Sequence, residues 1–350
     1  MARQESSGFD RHRAEARVLI GDRPVGVLRY QGRQTAFEYT DLAPDHPVLG
    51  QAFETDPLRN RRRKQGVPSW FSNLLPEPGS GLRLLLEADM GEERVHDFRM
   101  LVHIGDDLPG AVRIEPGEGC SEVPQDSRDG SHVHGAVEPG TVRFSLAGVQ
   151  RKMSMVRRGK SLILPAHGQG GDVLVKFQDG EHPLVPENEF AMLTWAAAAG
   201  IDVATADLVN GADLCGLPEG IWDPGRCVLA VDRFDRAPDG GRIHQEDLAQ
   251  VWEVDPQDKY LDREPYLPTR LNGSALIGRL VAQLCPPVDV DQYVRRLAAG
   301  VLMGNADLHL KNWSLVYPGG REARLSPAYD LVCVTVYSGV SGRMAFPLAG

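Results

Sequence analysis

The chain has 350 residues, 42% hydrophobic and 25% charged, which suits a globular protein large enough for two units that each bury a core. A formal charge of −10 argues against general nucleic-acid coating, and the one basic cluster, Arg59, Arg61, Arg62, Arg63 and Lys64, reads as a solvated loop. Cys120, Cys215, Cys227, Cys285 and Cys333 are scattered with no paired spacing, so neither a disulfide framework nor a zinc site is expected, and a reducing compartment is. The N-terminus has no signal-peptide apolar core, and no apolar run approaches the ~20 residues that span a bilayer. The expected location is the cytoplasm, with no membrane contact.

In chain order, residues 1–15 read as a polar tail. Arg17–Ile20, Val25–Tyr30 and Thr35–Tyr39 are short apolar runs between turn signals, the pattern of an antiparallel meander. Helices are expected near Ser80–Asp89 and Val95–Ile104, and a strand at Ala111–Ile114. These make a first unit over residues 16–115. Residues 116–140 are dense in Pro, Gly, Ser and Asp, and read as a flexible linker that buries too little to order itself.

The next unit, 141–240, is strand-rich: Val142–Leu146, Lys152–Val156, Ser161–Leu164, Asp172–Phe177, Val203–Val209 and Val228–Phe234. One helix interrupts it, Glu187–Ala199, started by Pro186 and carrying an apolar stripe of Phe190, Leu193 and Ala197. From 241 to 350 the pattern turns helical, with His244–Trp252, Ser274–Leu284 and Asp289–Met303. The expected fold class is α+β, a bilobal kinase-like arrangement behind a small meander-and-helix unit.

The sharpest chemical signal is Gly304-Asn305-Ala306-Asp307-Leu308-His309-Leu310-Lys311-Asn312. An Asp followed five positions later by an Asn is the spacing of a kinase catalytic loop, where the carboxylate takes the acceptor hydroxyl's proton and the amide helps to hold Mg²⁺. Asp330, in Pro327-Ala328-Tyr329-Asp330-Leu331, stands where a kinase places its second metal carboxylate. Upstream, Lys176 lies in the apolar run Val173–Phe177, and lysine is rarely buried without a partner. A strand lysine of this kind grips phosphates and pairs with a helix glutamate; Glu189 is the first candidate and Glu187 the competitor. Phe144–Lys152 places small residues between two strands, where backbone N–H groups can approach phosphate, though its single glycine also fits a plain hairpin.

Taken together, these segments resemble the HipA-like serine/threonine kinases. Ser72-Asn73-Leu74-Leu75-Pro76-Glu77 is similar to the family's N-terminal signature, and Ser145-Leu146-Ala147-Gly148-Val149-Gln150 with Lys152 to its phosphate loop. Ala230–Arg236, Gln245–Asp247, Asn305–Asn312 and Tyr329-Asp330 are similar to its adenine, helix-start, catalytic and metal segments. The resemblance implies ATP and Mg²⁺ as cofactors, Asp307 as base, Asn312 and Asp330 as metal ligands and Lys176 on phosphate. It implies a nucleotide lined by Ala147, Gly148, Val149, Gln150, Arg151 and Lys152, by Asp232, Arg233 and Phe234, and by His309, Leu310, Lys311, Asn312, Tyr329 and Asp330. Ser145 matches the loop serine that the family autophosphorylates.

As partners the resemblance implies a protein substrate from the translation machinery, such as an aminoacyl-tRNA synthetase, and a DNA-binding antitoxin of HipB type through which DNA is met only indirectly. The chain ends 20 residues beyond Asp330, whereas family members continue into further helices, so a helical lobe incomplete at its C-terminal end is expected. Two rival readings remain: a small-molecule phosphotransferase, whose catalytic loop also carries Asp, His and Asn, and a silent module that binds an antitoxin–DNA complex without chemistry.

Overall fold

The computed structural model describes residues 12–32, 34–41, 43–123, 152–165, 170–178, 180, 182–217, 222–260, 273–340 and 342–346. The expected strand at 142–146, most of the linker and the Ser145–Arg151 turn lie outside these residues.

The meander is present as β1 (Arg13–Ile20), β2 (Arg23–Gln31) and β3 (Gln34–Tyr39). Strand β1 begins inside the expected tail, because Ala14, Ala16 and Val18 alternate inward and pair residues 13–15 with β2. Next come α1 (Gln51–Thr55), β4 (Arg61–Arg63), α2 (Ser69–Ser72), α3 (Gly81–Asp89), α4 (Asp97–His103) and β5 (Val112–Pro116). Ser80 caps α3 by accepting a hydrogen bond from Arg83 N. The sheet order is β4-β3-β2-β1-β5, antiparallel throughout, and its inner face meets Phe53, Trp70, Phe71 and Phe98 in one core.

The start of the expected linker is ordered. Gly117 N donates to Glu15 O (2.8 Å), Glu15 N donates to Glu118 O (2.9 Å), and Val123 is buried in the first core. Low apolar content overall did not prevent a short segment from finding partners on an open strand edge.

The second sheet takes β6 (Lys152–Arg158), β7 (Ser161–Ile163) and β8 (Val173–Lys176), followed by α5 (Val185–Ala198), then β9 (Ala206–Asn210), β10 (Leu214–Cys215) and β11 (Cys227–Asp232). Their order is β10-β7-β6-β8-β11-β9, parallel only between β10 and β7. Helix α5 packs Phe190 against Leu229 and Val231 of the sheet and buries Leu193 and Ala196 in the core of the last unit; the inward stripe thus runs through Ala196, and Ala197 faces outward.

The last unit contains β12 (His244–Asp247), α6 (Leu248–Val251), α7 (Gly273–Leu284), α8 (Pro287–Leu302), β13 (Ser314–Tyr317) and β14 (Arg324–Leu325). Expected as helix, His244–Asp247 is a strand paired antiparallel with β13. Burial alternates there, His244 and Glu246 in and Gln245 and Asp247 partly out, and helix begins only after an Asp247/Gln250 capping box. Among the described residues no helix is long and apolar enough to cross a membrane.

The basic cluster is only partly a solvated loop: Arg62 and Lys64 are exposed, whereas three of its arginines make ion pairs. Arg61 is buried and bonds Glu253 (2.7 Å) and the carbonyl of Ala52 (2.7 Å); Arg63 bonds Asp255 (3.0 Å) and Arg59 bonds Glu253 (2.9 Å). It fastens the first unit to the last.

Glu246 completes that junction, fully buried and accepting from Gln51 N (2.8 Å), Trp70 Nε1 (3.1 Å) and the Tyr317 hydroxyl (2.6 Å). Desolvation outweighs these donors and pushes its carboxyl up to about 7. A folded acid raised above its unfolded value holds its proton while the unfolded chain releases it, so stability falls as pH rises from the ordinary 4.5 toward about 7. Denaturant titrations at several pH values are expected to show this decline, by up to about 1.4 kcal/mol per pH unit. Glu246→Gln, which cannot ionise, should remove that component of the slope.

Candidate active site

Lys176 ends β8 with its side chain turned into the protein, 2% exposed. Its ammonium donates to Glu189 Oε1 (2.6 Å), one turn into α5, and to Asp330 Oδ1. Burial alone would lower its pKa; Asp330 and Glu189 together hold it above the ordinary value. The same ammonium, helped by Lys152, drives Asp330 well below the usual carboxylate range against its own desolvation. Glu189, also buried, is pushed upward by desolvation, which the pull of Lys176 opposes. Of the two candidate partners, Glu189 is the one the fold brings to Lys176.

The chain enters the 305–312 loop through a glycine turn. At the end of α8, Gly304 has φ +69°, Asn305 N donates to Gly300 O (2.8 Å) and Gly304 N to Val301 O (3.2 Å), the paired bonds of a Schellman cap. A Cβ at Gly304 would also meet Thr335 Oγ1 at 2.2 Å, so glycine is required twice over.

From there asparagines set the geometry. Buried Asn305 accepts from Asp307 N through Oδ1 (3.2 Å) and donates through Nδ2 to Asp330 O (3.3 Å). It therefore ties the catalytic loop to Asp330, whose φ of +53° is a left-handed conformation unusual for a side-chain-bearing residue. Asn312, buried in a short 3₁₀ turn before β13, donates to Asp307 O (2.7 Å). That bond commits its nitrogen and leaves the amide oxygen for a cation.

The Asp307 carboxylate accepts from the Tyr260 hydroxyl at 2.7 Å. Desolvation raises its pKa and the Tyr260 bond opposes the rise. His309 is buried beside it, its ring perpendicular to that of Tyr260 at 5.2 Å and its Nδ1 without a hydrogen-bond partner; burial pushes it down to about 3, so it is neutral. Neither Tyr260 nor Asn305 was singled out by residue pattern. Asn305 sat inside the quoted motif, whereas Tyr260 lies 47 positions before Asp307 and carried no local signal.

Lys152 pairs with Lys176 across β6 and β8 and keeps its side chain exposed to solvent. Phe234 and Tyr329 face each other at 5.6 Å, and the Tyr329 hydroxyl bonds Ser314 (2.6 Å) and Lys311 O (2.9 Å). Leu310 is buried in the helical core. The N–H groups of Asp232 and Arg233 are already taken, by Thr205 O (2.8 Å) and Asp172 O (2.9 Å). The Arg233 guanidinium bonds Asp107 (2.8 Å), Ser154 (3.0 Å) and Asp235 (2.9 Å), and so ties the segment after β11 to the first unit. Lys152, Lys176, Phe234, Asp307, Asn312 and Asp330 share one cleft of about 1880 Å³.

Two acidic groups around one buried ammonium, with an amide oxygen nearby, fit a divalent cation held jointly by protein and phosphate. Among the described residues no group of three His, Cys, Asp or Glu makes a self-sufficient metal cage, and Mg²⁺ does not need one.

Such a site on a β-rich lobe above a helical one defines a phosphotransferase of the kinase class. Residues 16–115 match the HipA N-terminal domain and residues 144–350 the HipA-like C-terminal domain. The chain is 43% identical over 332 residues to the putative kinase Y4dM of Sinorhizobium fredii, covering 91% of this chain and 77% of that one. It is 28% identical over 357 residues to the serine/threonine-protein kinase toxin HipA of Shewanella oneidensis, covering 94% and 77%. The solved HipA of Shewanella oneidensis MR-1, in complex with HipB and operator DNA, aligns with a TM-score of 0.64 at 24% identity over 94% of this chain and 79% of that one. The chain belongs to the HipA-like serine/threonine kinases.

Removing the Lys176 ammonium leaves the buried Glu189 carboxylate without its cation, facing the partly exposed Asp330 carboxylate. Lys176→Met is expected to destabilise the fold by about 3–5 kcal/mol, read from urea denaturation.

Proposed function

We propose that the protein is an ATP- and Mg²⁺-dependent serine/threonine protein kinase, the toxin of a toxin–antitoxin pair. The observation that carries this is the single link from Lys176 through Asp330 and Asn305 to Asp307, which joins phosphate grip, metal ligand and base in one cleft. Lys176 and Lys152 neutralise phosphate oxygens, and the Phe234 and Tyr329 rings flank the nucleotide base. Asn312 and Asp330 hold Mg²⁺, which supplies charge neutralisation between the phosphates. Asp307 accepts the proton of the acceptor hydroxyl and aims its oxygen.

Ser145, outside the described residues, is the proposed autophosphorylation site. A phosphate dianion on it would compete with the nucleotide phosphates by charge and bulk. Family membership supports a DNA-binding antitoxin of HipB type as partner, as HipB accompanies the Shewanella HipA. The physiological acceptor is proposed to be a protein of the translation machinery.

Intact-mass measurement after incubation with Mg-ATP is expected to show phosphate gain, mapped to Ser145 and lost from that position in Ser145→Ala. Asp307→Ala should slow the gain by about 10²-fold or more. Asp330→Ala should abolish it and also weaken Mg-nucleotide binding. Equal autophosphorylation of Asp307→Ala and the parent would remove Asp307 as the base, and a protein that gains no phosphate would fit a binding module.

A further inference from the structure

The Ser72–Glu77 turn belongs to the first unit and takes no part in the chemistry above, yet it reaches that chemistry by two arms. In the first, Lys311 precedes Asn312 and sets its ammonium between Asp247 Oδ2 (2.6 Å), Asn73 Oδ1 (3.0 Å) and Asn73 O (3.1 Å). Asn73 is itself fixed, because its amide nitrogen donates to Val254 O (2.8 Å) and Ser69 O (2.9 Å). In the second arm Glu77 accepts from Lys259 Nζ (2.8 Å). Lys259 accepts from Leu310 N through its carbonyl (3.2 Å), and the residue after it is Tyr260, which holds the Asp307 carboxylate.

One arm thus ends beside the metal-ligand amide and the other on the base. Lys311, with three acceptors around its ammonium, acts as a bracket here.

We propose that Asn73 and Glu77 are positioning residues for phosphoryl transfer: docking of the N-terminal unit sets the 305–312 loop so that Asp307 and Asn312 face one point. The proposal rests on the roles assigned to those two residues. Its physical basis is the steep dependence of rate on placement, where a displacement of about 1 Å can cost about 10²-fold. Two lysine–acceptor clamps on residues adjacent to the reacting groups are suited to prevent such a displacement.

The test compares the full chain with Asn73→Ala and Glu77→Ala in kcat and KM for Mg-ATP hydrolysis, together with hydrogen exchange of the 305–312 amides without nucleotide. The expected result is a fall in kcat of about 10- to 100-fold with KM for ATP little changed. Exchange should rise in 305–312 while β1–β3 stay protected, and Asn73→Ala combined with Lys311→Met should be no slower than either alone. Unchanged kcat, or a loss of protection spread evenly over the whole protein, would overturn the proposal. A parent that binds no Mg-ATP would instead count against the kinase chemistry; the exchange comparison would still decide whether the turn holds the loop.

Discussion

A single buried ammonium organises the site. Lys176 lies between Glu189 and Asp330, and each neighbour belongs to a different part of the chain: a strand, a helix and the turn after β14. Ions taken out of water are costly unless paired, so the three segments can pack only if these groups meet. The demand of the fold for pairing therefore falls on Asp330, the residue proposed above as a metal ligand.

The junction between the N-terminal unit and the kinase lobes follows similar physics. Arg61 and Arg63 reach Glu253 and Asp255, Arg233 and Arg236 reach Asp107, and Glu246 gathers donors from both sides. Desolvated pairs of this kind add little net stability, but they tolerate only one docking geometry, since any slip leaves a buried charge alone. An apolar interface would hold the units together with less precision about where the Ser72–Glu77 turn falls relative to Lys311.

Much of this was legible in the residues. The strand periodicity of β1–β3, the Pro186 helix start, the Asp307/Asn312 spacing and the lone lysine in an apolar strand are local signals, each produced by neighbours in sequence. Where local pattern misled, a distant partner had changed its meaning. His244–Asp247 contains residues that suit a helix, but β13 offers a strand edge and Gln51, Trp70 and Tyr317 offer hydrogen bonds to Glu246. The cluster at 59–64 looked solvated because Glu253 and Asp255 lie about 190 positions away.

Residue order alone determined which chemical groups the protein owns and in what succession: a strand lysine, a helix glutamate, a loop aspartate, a loop amide and a second aspartate. Tertiary structure alone decided their pairing, including the choice of Glu189 over Glu187, the bridge made by Asn305 and the hold of Tyr260 on Asp307. Backbone periodicity is a property of neighbours, whereas hydrogen bonds between buried groups depend on distances that only the folded chain defines.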